Sequence, residues 1–262
     1  MSLVMAMNKP ASDRPPPVSL VALSCLWLPI NLFWTVMLQY ALPSRVQALV
    51  GESAKGEYLG YISLIGAVAT TVIQLVVAPL SDACASRWGR RHPFIFWGIL
   101  LNVIATLAFA QAQNFPLLMV SFFGIQLFLN IANGPYQALL PDTISEERQG
   151  IASTYMGMAL LLGQLFGALG LLGYSLKFYS LNALLIGILV FMLGATVWTI
   201  RGVPDSPAPM EERLPLSRAL APLLDLKIKE NPDFFQLLYS RFFVNLSYST
   251  VVAFCSTISR MP

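Results

Sequence analysis

Charged residues are scarce in this chain. Of its 262 residues, 11% are Asp, Glu, Lys or Arg and 56% are hydrophobic, and the mean hydropathy is +0.66. A soluble domain carries about 25% charged residues, so this scarcity excludes an ordinary soluble fold and predicts an all-α polytopic membrane protein. The net charge of +3 comes from basic residues in loops beside apolar runs, a pattern that indicates membrane topology and no nucleic-acid partner.

Residues and motifs that carry chemistry are also few. The chain has one histidine, His92, and three widely separated cysteines, Cys25, Cys84 and Cys255, which predict neither a disulfide framework nor a metal site. The sequence lacks the HExxH, Walker and GxSxG motifs and the paired acidic clusters of membrane transferases. We therefore expect no enzyme activity and no cofactor.

What the chain has instead is long apolar runs of about the length that spans a bilayer, roughly 20 residues. They cover residues 20–42, 58–80, 94–110, 116–140, 152–174, 182–200 and 235–258. Eleven lysines and arginines fall on the same side as the N-terminus, and only Arg45, Lys55 and Lys177 fall in the loops of the other side. The positive-inside rule then predicts a cytosolic N-terminus in a plasma or inner membrane.

These runs divide the chain into four segments. Residues 1–19, with three consecutive prolines, are predicted to be a disordered cytosolic lead-in. Residues 20–200 form a six-helix transmembrane half-bundle, and residues 201–234, rich in proline and charge, form a cytosolic linker. Residues 235–262 begin a seventh helix and stop, so we expect a truncated chain in which one half of a two-half protein is complete.

The fourth run carries a stripe of amides. Gln126, Asn130, Asn133 and Gln137 are spaced i, i+4, i+7 and i+11, which places them on one helix face about 60° wide. Polar side chains inside a membrane usually face the protein interior or a cavity. A single amide more often joins two helices, but four on one face favour a cavity that binds a polar ligand.

Other runs contribute further candidates for contacts with a solute. They are Asn31 and Trp34 in the first run, Gln74 in the second, Gln164 in the fifth and Asn245 in the seventh. Amides and indole rings together suit a sugar, whose hydroxyl groups donate and accept hydrogen bonds and whose apolar faces stack on rings. In the fifth run, Gly163 and Gly167 form a GxxxG motif, which predicts close helix packing within the protein.

The loop between the second and third runs reads SDACASRWGRRHPF, residues 81–94. Together with six helices and a long linker, it resembles the signature loop in the N-terminal half of a major facilitator superfamily transporter, with six helices in 3+3 inverted repeats. It is similar to the SDRxxSRxGRRRPF of the sugar:cation symporter branch, which includes sucrose and melibiose carriers. The stretch NIANGPYQALLPDT, residues 130–143, is similar to that branch's NxxQGPxRALLADL.

This resemblance implies secondary active or facilitative transport of a small polar organic solute, with a sugar among the candidates, by alternating access. It implies a lipid bilayer, a small-molecule substrate and a coupling cation as partners. It also implies a cytosolic gate formed by Asp82, Arg87, Gly89, Arg90, Arg91, Asp142 and Arg148. The alternative for the arginines is that they only fix the topology.

Three positions depart from the branch's pattern. Ala83 and Ala78 replace an arginine and a glycine of the loop region, and Gln126 replaces an acid of the fourth helix. Because the first six runs contain no Asp, Glu, Lys or Arg, proton coupling does not follow, and a sodium ion held by neutral oxygens remains open. The alternative function is a non-transporting membrane partner or an inactive fragment of such a carrier.

Overall fold

The computed structural model describes residues 19–207 together with Gln236 and Ser240. Six helices occupy the described stretch: α1 (Leu20–Val50), α2 (Lys55–Asp82), α3 (His92–Ala110), α4 (Phe115–Thr143), α5 (Glu146–Ser175) and α6 (Leu181–Gly202). No strand occurs among the described residues, and the predicted all-α fold is confirmed. The chain divides after Ala219 into two compact units, and all six helices belong to the first. The predicted lead-in, most of the linker and the seventh span, with Asn245, lie outside the described residues.

The lengths and hydropathy of the helices fit a membrane. Within residues 19–207, α1 and α3–α6 are long and apolar enough to cross a bilayer. Helix α2 has 28 residues, about 42 Å at 1.5 Å per residue, and its last part, Val72–Asp82, is apolar. Each of the first six predicted spans therefore lies within one observed helix, apart from small differences at the ends.

Helix α1 is longer than predicted. The apolar run suggested an end at residue 42, but the helix continues to Val50, so Arg45 lies within it and not in a loop. The guanidinium of Arg45 donates a hydrogen bond to the carbonyl of Ala110, at the end of α3. Hydropathy predicts where a helix leaves the apolar layer, and this helix keeps its backbone bonds beyond that point.

Helix α1 is also irregular. It consists of Leu20–Ser24, Trp27–Val36, a π-helical turn at Met37–Ala41, and Leu42–Val50. Ser19 caps its start by accepting a hydrogen bond from the Ala22 N–H. The turn that separates its first two parts occurs at residues 25–26.

Small residues allow two of the helix pairs to pack closely. Helix α1 packs along α5, where a side chain at Gly163 would collide with the carbonyl of Leu28. Helix α3 packs along α4, where a Cβ at Gly98 would lie 2.8 Å from the Cβ of Ala132. Helix α2 packs against α4, and α1 and α3 contact α6. The internal packing predicted for the GxxxG motif agrees with these contacts.

Candidate functional site

Four polar side chains meet where α2 crosses α4, a group that we call the amide cluster: Thr70, Gln74, Gln126 and Asn130. The Gln74 amide donates to the Asn130 side-chain oxygen at 3.0 Å. The Asn130 amide donates to the Thr70 hydroxyl at 3.3 Å and to the Gln126 carbonyl at 2.7 Å. The Thr70 hydroxyl donates to the Gln126 side-chain oxygen at 3.3 Å.

The position of the amide cluster explains its chemistry. Gln126 and Asn130 lie at the centre of α4, where a bilayer offers no water to satisfy polar groups. Asn130 is 6% exposed, whereas Gln74 is exposed and Gln126 is half-buried. The cluster therefore joins two helices through Asn130 and presents further donors and acceptors through Gln74. Both interpretations of the amides that the sequence left open are compatible with this geometry.

The remaining predicted solute contacts do not belong to the amide cluster. Asn31 is half-buried and its amide donates to the Trp27 carbonyl at 2.7 Å. Trp34 packs edge-on against Phe33, with ring centroids 5.7 Å apart. Asn133 has a buried side-chain oxygen with no hydrogen-bond partner among the described residues. Gln137 and Gln164 are exposed, and Asn245 lies outside the described residues.

A second polar group surrounds Arg91 where α2 ends and α3 begins. Its guanidinium contacts Asp82 at 2.5 Å, Asp142 at 3.0 Å and the Ser81 hydroxyl at 2.5 Å. Arg90 contacts the same Asp142 oxygen at 3.0 Å. The Arg91 side chain is only 7% exposed, so its charge is compensated by two carboxylates and a hydroxyl, as a buried guanidinium requires.

Asp205 completes this arrangement, and sequence reasoning did not identify it. Its carboxylate accepts hydrogen bonds from the N–H groups of Arg91 and His92 at 2.7 and 2.9 Å, which caps the start of α3. The carboxylate packs so closely against Gly89 that a Cβ there would collide with it. Gly89 also has a φ of +100°, a conformation that favours glycine. We call Asp82, Arg90, Arg91, Asp142 and Asp205 the charged network.

The sequence contains little that signals the role of Asp205. The residue follows α6 in a stretch whose prolines and polar residues predict a linker, and its partners lie more than 110 positions earlier in the chain. A capping acid normally precedes its own helix, so local patterns do not reveal a cap that comes from another part of the chain.

The other predicted gate residues are Arg87 and Arg148, and the side chains of both are exposed. The structure thus brings four of the predicted gate residues together. Asp82 and Asp142 contact the guanidinium of Arg91, Arg90 also contacts Asp142, and Gly89 lies beside them.

Comparison with known proteins places these residues in a family context. The family model of the Major Facilitator Superfamily matches residues 18–261, which is nearly the whole chain. The match includes both the amide cluster and the charged network.

Individual relatives are more distant. The chain is 25% identical to the General alpha-glucoside permease of Schizosaccharomyces pombe over 171 residues, which are 59% of this chain and 30% of that protein. It is 24% identical to the Sucrose transport protein SUC3 of Arabidopsis thaliana over 132 residues, 42% of this chain and 22% of that protein. It is 28% identical to the Sucrose transport protein SUC4 of Arabidopsis thaliana over 124 residues, 40% and 24% of the two chains. The matched region covers less than a third of each relative.

Proposed function

The chain belongs to the Major Facilitator Superfamily, and we propose that it forms part of a multi-pass membrane transporter that carries a small polar solute by alternating access. Sugars are the proposed substrate class, because curated relatives are a glucoside permease and sucrose transport proteins. A site at the midplane between two halves of the transporter is the expected place for such a solute.

The observation that carries this proposal is the position and composition of the amide cluster. It lies at the centre of α4 and combines two carboxamides and a hydroxyl with the exposed amide of Gln74. Neutral groups that donate and accept hydrogen bonds match the hydroxyl groups of a sugar. In this proposal, Gln74 and Gln126 contact the solute and Asn130 holds them in position. Asn31, Trp34, Asn133, Gln137, Gln164 and Asn245 remain predicted contacts.

We propose that the charged network is the gate on the side of the N-terminus, which we place in the cytosol. Asp82 and Asp142 hold Arg91 between the ends of α2 and α4. A rocking motion between halves would form and break contacts around such a network. In this proposal, Asp205 is the part of the gate that does not move, because it attaches the residues after α6 to the start of α3. A coupling cation and location in the plasma or inner membrane remain part of the prediction.

The test uses the full chain reconstituted in proteoliposomes and measures uptake of radiolabelled sucrose and maltose, with vesicles that lack protein as the blank. We expect uptake that saturates with solute concentration and is inhibited by other glucosides. Uptake no faster than the blank for every sugar offered would contradict transport by this chain and favour a non-transporting partner.

A double variant separates solute binding from helix joining. Replacing both members of a hydrogen-bonded pair by apolar residues of similar shape can be nearly neutral for stability, so we expect Gln74→Leu with Asn130→Leu to fold. If the amides contact the solute, this variant loses uptake while its thermal-unfolding midpoint stays close to that of the original. If they only join helices, uptake persists. Gln149→Leu, outside the cluster, is the matched control, with uptake expected to stay unchanged.

A further inference from the structure

The first part of α1 is separated from the rest of the helix by an interruption of the backbone hydrogen bonds. Pro29 has no N–H group, and a proline ring inside a helix clashes with the carbonyl four residues earlier, here that of Cys25. Among the described residues, no backbone bond joins the Leu26 N–H to the Ala22 carbonyl or the Trp27 N–H to the Leu23 carbonyl. A helix normally contains both bonds.

A tyrosine from another helix occupies this gap. The hydroxyl of Tyr136, in α4, accepts a hydrogen bond from the Trp27 N–H at 3.2 Å and donates one to the Leu23 carbonyl at 2.6 Å. It therefore lies between the two groups that would bond each other in an unbroken helix. A side chain inserted in this way is a recognised cause of a sharp kink.

Helix α6 contributes to the same gap. The hydroxyl of Thr199 donates to the Ala22 carbonyl at 2.9 Å and lies 3.3 Å from the Cys25 sulfur. Three backbone groups at the gap, the Ala22 and Leu23 carbonyls and the Trp27 N–H, are thus satisfied by side chains of α4 and α6.

The tyrosine fits its position closely. Its side chain is fully buried, and its ring packs edge-on against Trp27, with ring centroids 5.8 Å apart. It follows Asn130 and Asn133 on α4 by six and three positions, so the same helix carries both the amide cluster and this hydroxyl. Pro135 lies inside α4 directly before Tyr136.

We propose that Leu20–Ser24 is a hinged segment and that Tyr136 is the positioning residue that sets its angle to the rest of α1. The Tyr136 hydroxyl replaces one backbone bond by two side-chain bonds, which keep the Leu23 carbonyl and the Trp27 N–H paired when the segment bends. The role in transport rests on the proposed function, whereas the hinge itself rests only on the contacts of α1.

The first test measures amide hydrogen exchange in the full chain, purified in detergent. Tyr136→Phe removes the partner of the Trp27 N–H, and Pro29 prevents the helix from closing over the gap. We expect exchange at Trp27 to rise about fivefold or more, the equivalent of one net hydrogen bond of roughly 1 kcal/mol. Unchanged exchange at Trp27 would overturn the hinge.

Two further variants make this test specific. Tyr40→Phe is the matched control. It removes a tyrosine hydroxyl of α1, the helix of Trp27, and this hydroxyl donates to the Tyr174 hydroxyl at 3.0 Å, far from the gap. Exchange at Trp27 should not change. Thr199→Val removes the second inserted hydroxyl and should accelerate exchange at the amides beside the gap in the same direction. If Tyr136→Phe fails to fold, Thr199→Val decides the question alone.

The second test compares sugar uptake by the same variants in proteoliposomes. Tyr136→Phe should lower the maximal rate at least threefold while the half-saturating concentration stays within twofold, because both hydrogen bonds of the hydroxyl go to the backbone of α1. Accelerated exchange with an unchanged maximal rate would overturn the role in transport. If the original chain shows no uptake, the proposed function fails, and the exchange measurements still decide whether the hinge exists.

Discussion

Helix α4 takes part in two polar networks that differ in kind. At its centre, Gln126 and Asn130 form neutral hydrogen bonds with α2. At its end, Asp142 forms ion pairs with Arg90 and Arg91 of the loop before α3. A charge at bilayer depth is costly whereas a carboxamide is tolerated, so each network uses the groups that its depth permits.

The comparison also teaches how each network is organised. Asn130 is the common partner of Gln74, Thr70 and the Gln126 backbone carbonyl, and the bond from Thr70 to the Gln126 side chain does not involve it. Arg91 is the common partner of two carboxylates and a hydroxyl. Each network is therefore centred on one side chain, a carboxamide in the first and a guanidinium in the second.

The largest expected effect is that of Arg91→Ala. The substitution removes the contacts of Arg91 with Asp82, Asp142 and Ser81 and leaves Asp142 with Arg90; a hydrogen bond to a charged group contributes about 1.5–3 kcal/mol. The thermal-unfolding midpoint of the full chain in detergent should fall by many degrees. Arg87→Ala, an exposed arginine of the same loop, should change it little. Equal effects of the two substitutions would contradict the dependence on Arg91.

Gly89→Ala should have the next largest effect. The new methyl group would collide with Asp205. The alanine would also have to keep the positive φ of this position, which costs on the order of 1–3 kcal/mol. Gly150→Ala is the control, because that helical glycine has open space around it and alanine is the better helix former. The two midpoints should therefore move in opposite directions. A harmless Gly89→Ala would mean that the Asp205 cap is dispensable.

A smaller effect is expected from breaking the neutral network. Asn130→Leu removes the partner of the Gln74 amide, which costs roughly 1–3 kcal/mol, and a second substitution, Gln74→Leu, should recover part of it. The double-mutant cycle, measured from unfolding midpoints, should give a coupling of about 0.6 kcal/mol, the average for such bonds in membrane bundles. Additive effects would mean that the two side chains do not interact in the folded protein.

The smallest effect is expected from Asp82→Asn. The Asp82 side chain is 54% exposed, so its pair with Arg91 is screened by solvent and should contribute about 1 kcal/mol or less. Its contribution should decline further as salt is raised from 0.05 to 1 M, whereas the effect of Asn130→Leu should not depend on salt. An equal salt dependence of both variants would contradict the claim that one network is held by charges and the other by neutral hydrogen bonds.

The sequence predicts much of the fold and less of the candidate site. Apolar runs locate six helices because the length and hydropathy of a span are local properties, and GxxxG locates Gly163 and Gly167 for the same reason. The stripe of α4 correctly places Gln126 and Asn130 on one face. It does not say whether that face meets α2, which only the packing of the two helices determines.

Partners from distant parts of the chain account for what the sequence leaves out. Asp205 caps a helix that begins 113 positions earlier, and no periodicity connects the two. Likewise, Tyr136 is an ordinary aromatic residue in an apolar run, and its hydroxyl gains a role only because Pro29 opens the backbone of another helix. The end of α1 at Val50 differs from the predicted end at residue 42, and Arg45, beyond the apolar run, has its partner on α3.

The contact of Asp205 with the start of α3 has a practical consequence for shortened versions of this protein. Hydropathy alone would suggest cutting after residue 200, where the sixth apolar run ends. Such a cut would remove the carboxylate that holds the amide groups of Arg91 and His92 and would leave a half-bundle with an uncapped third helix. The folding unit of this half-bundle therefore extends at least to Asp205, and expression trials should keep the VPD sequence that follows α6.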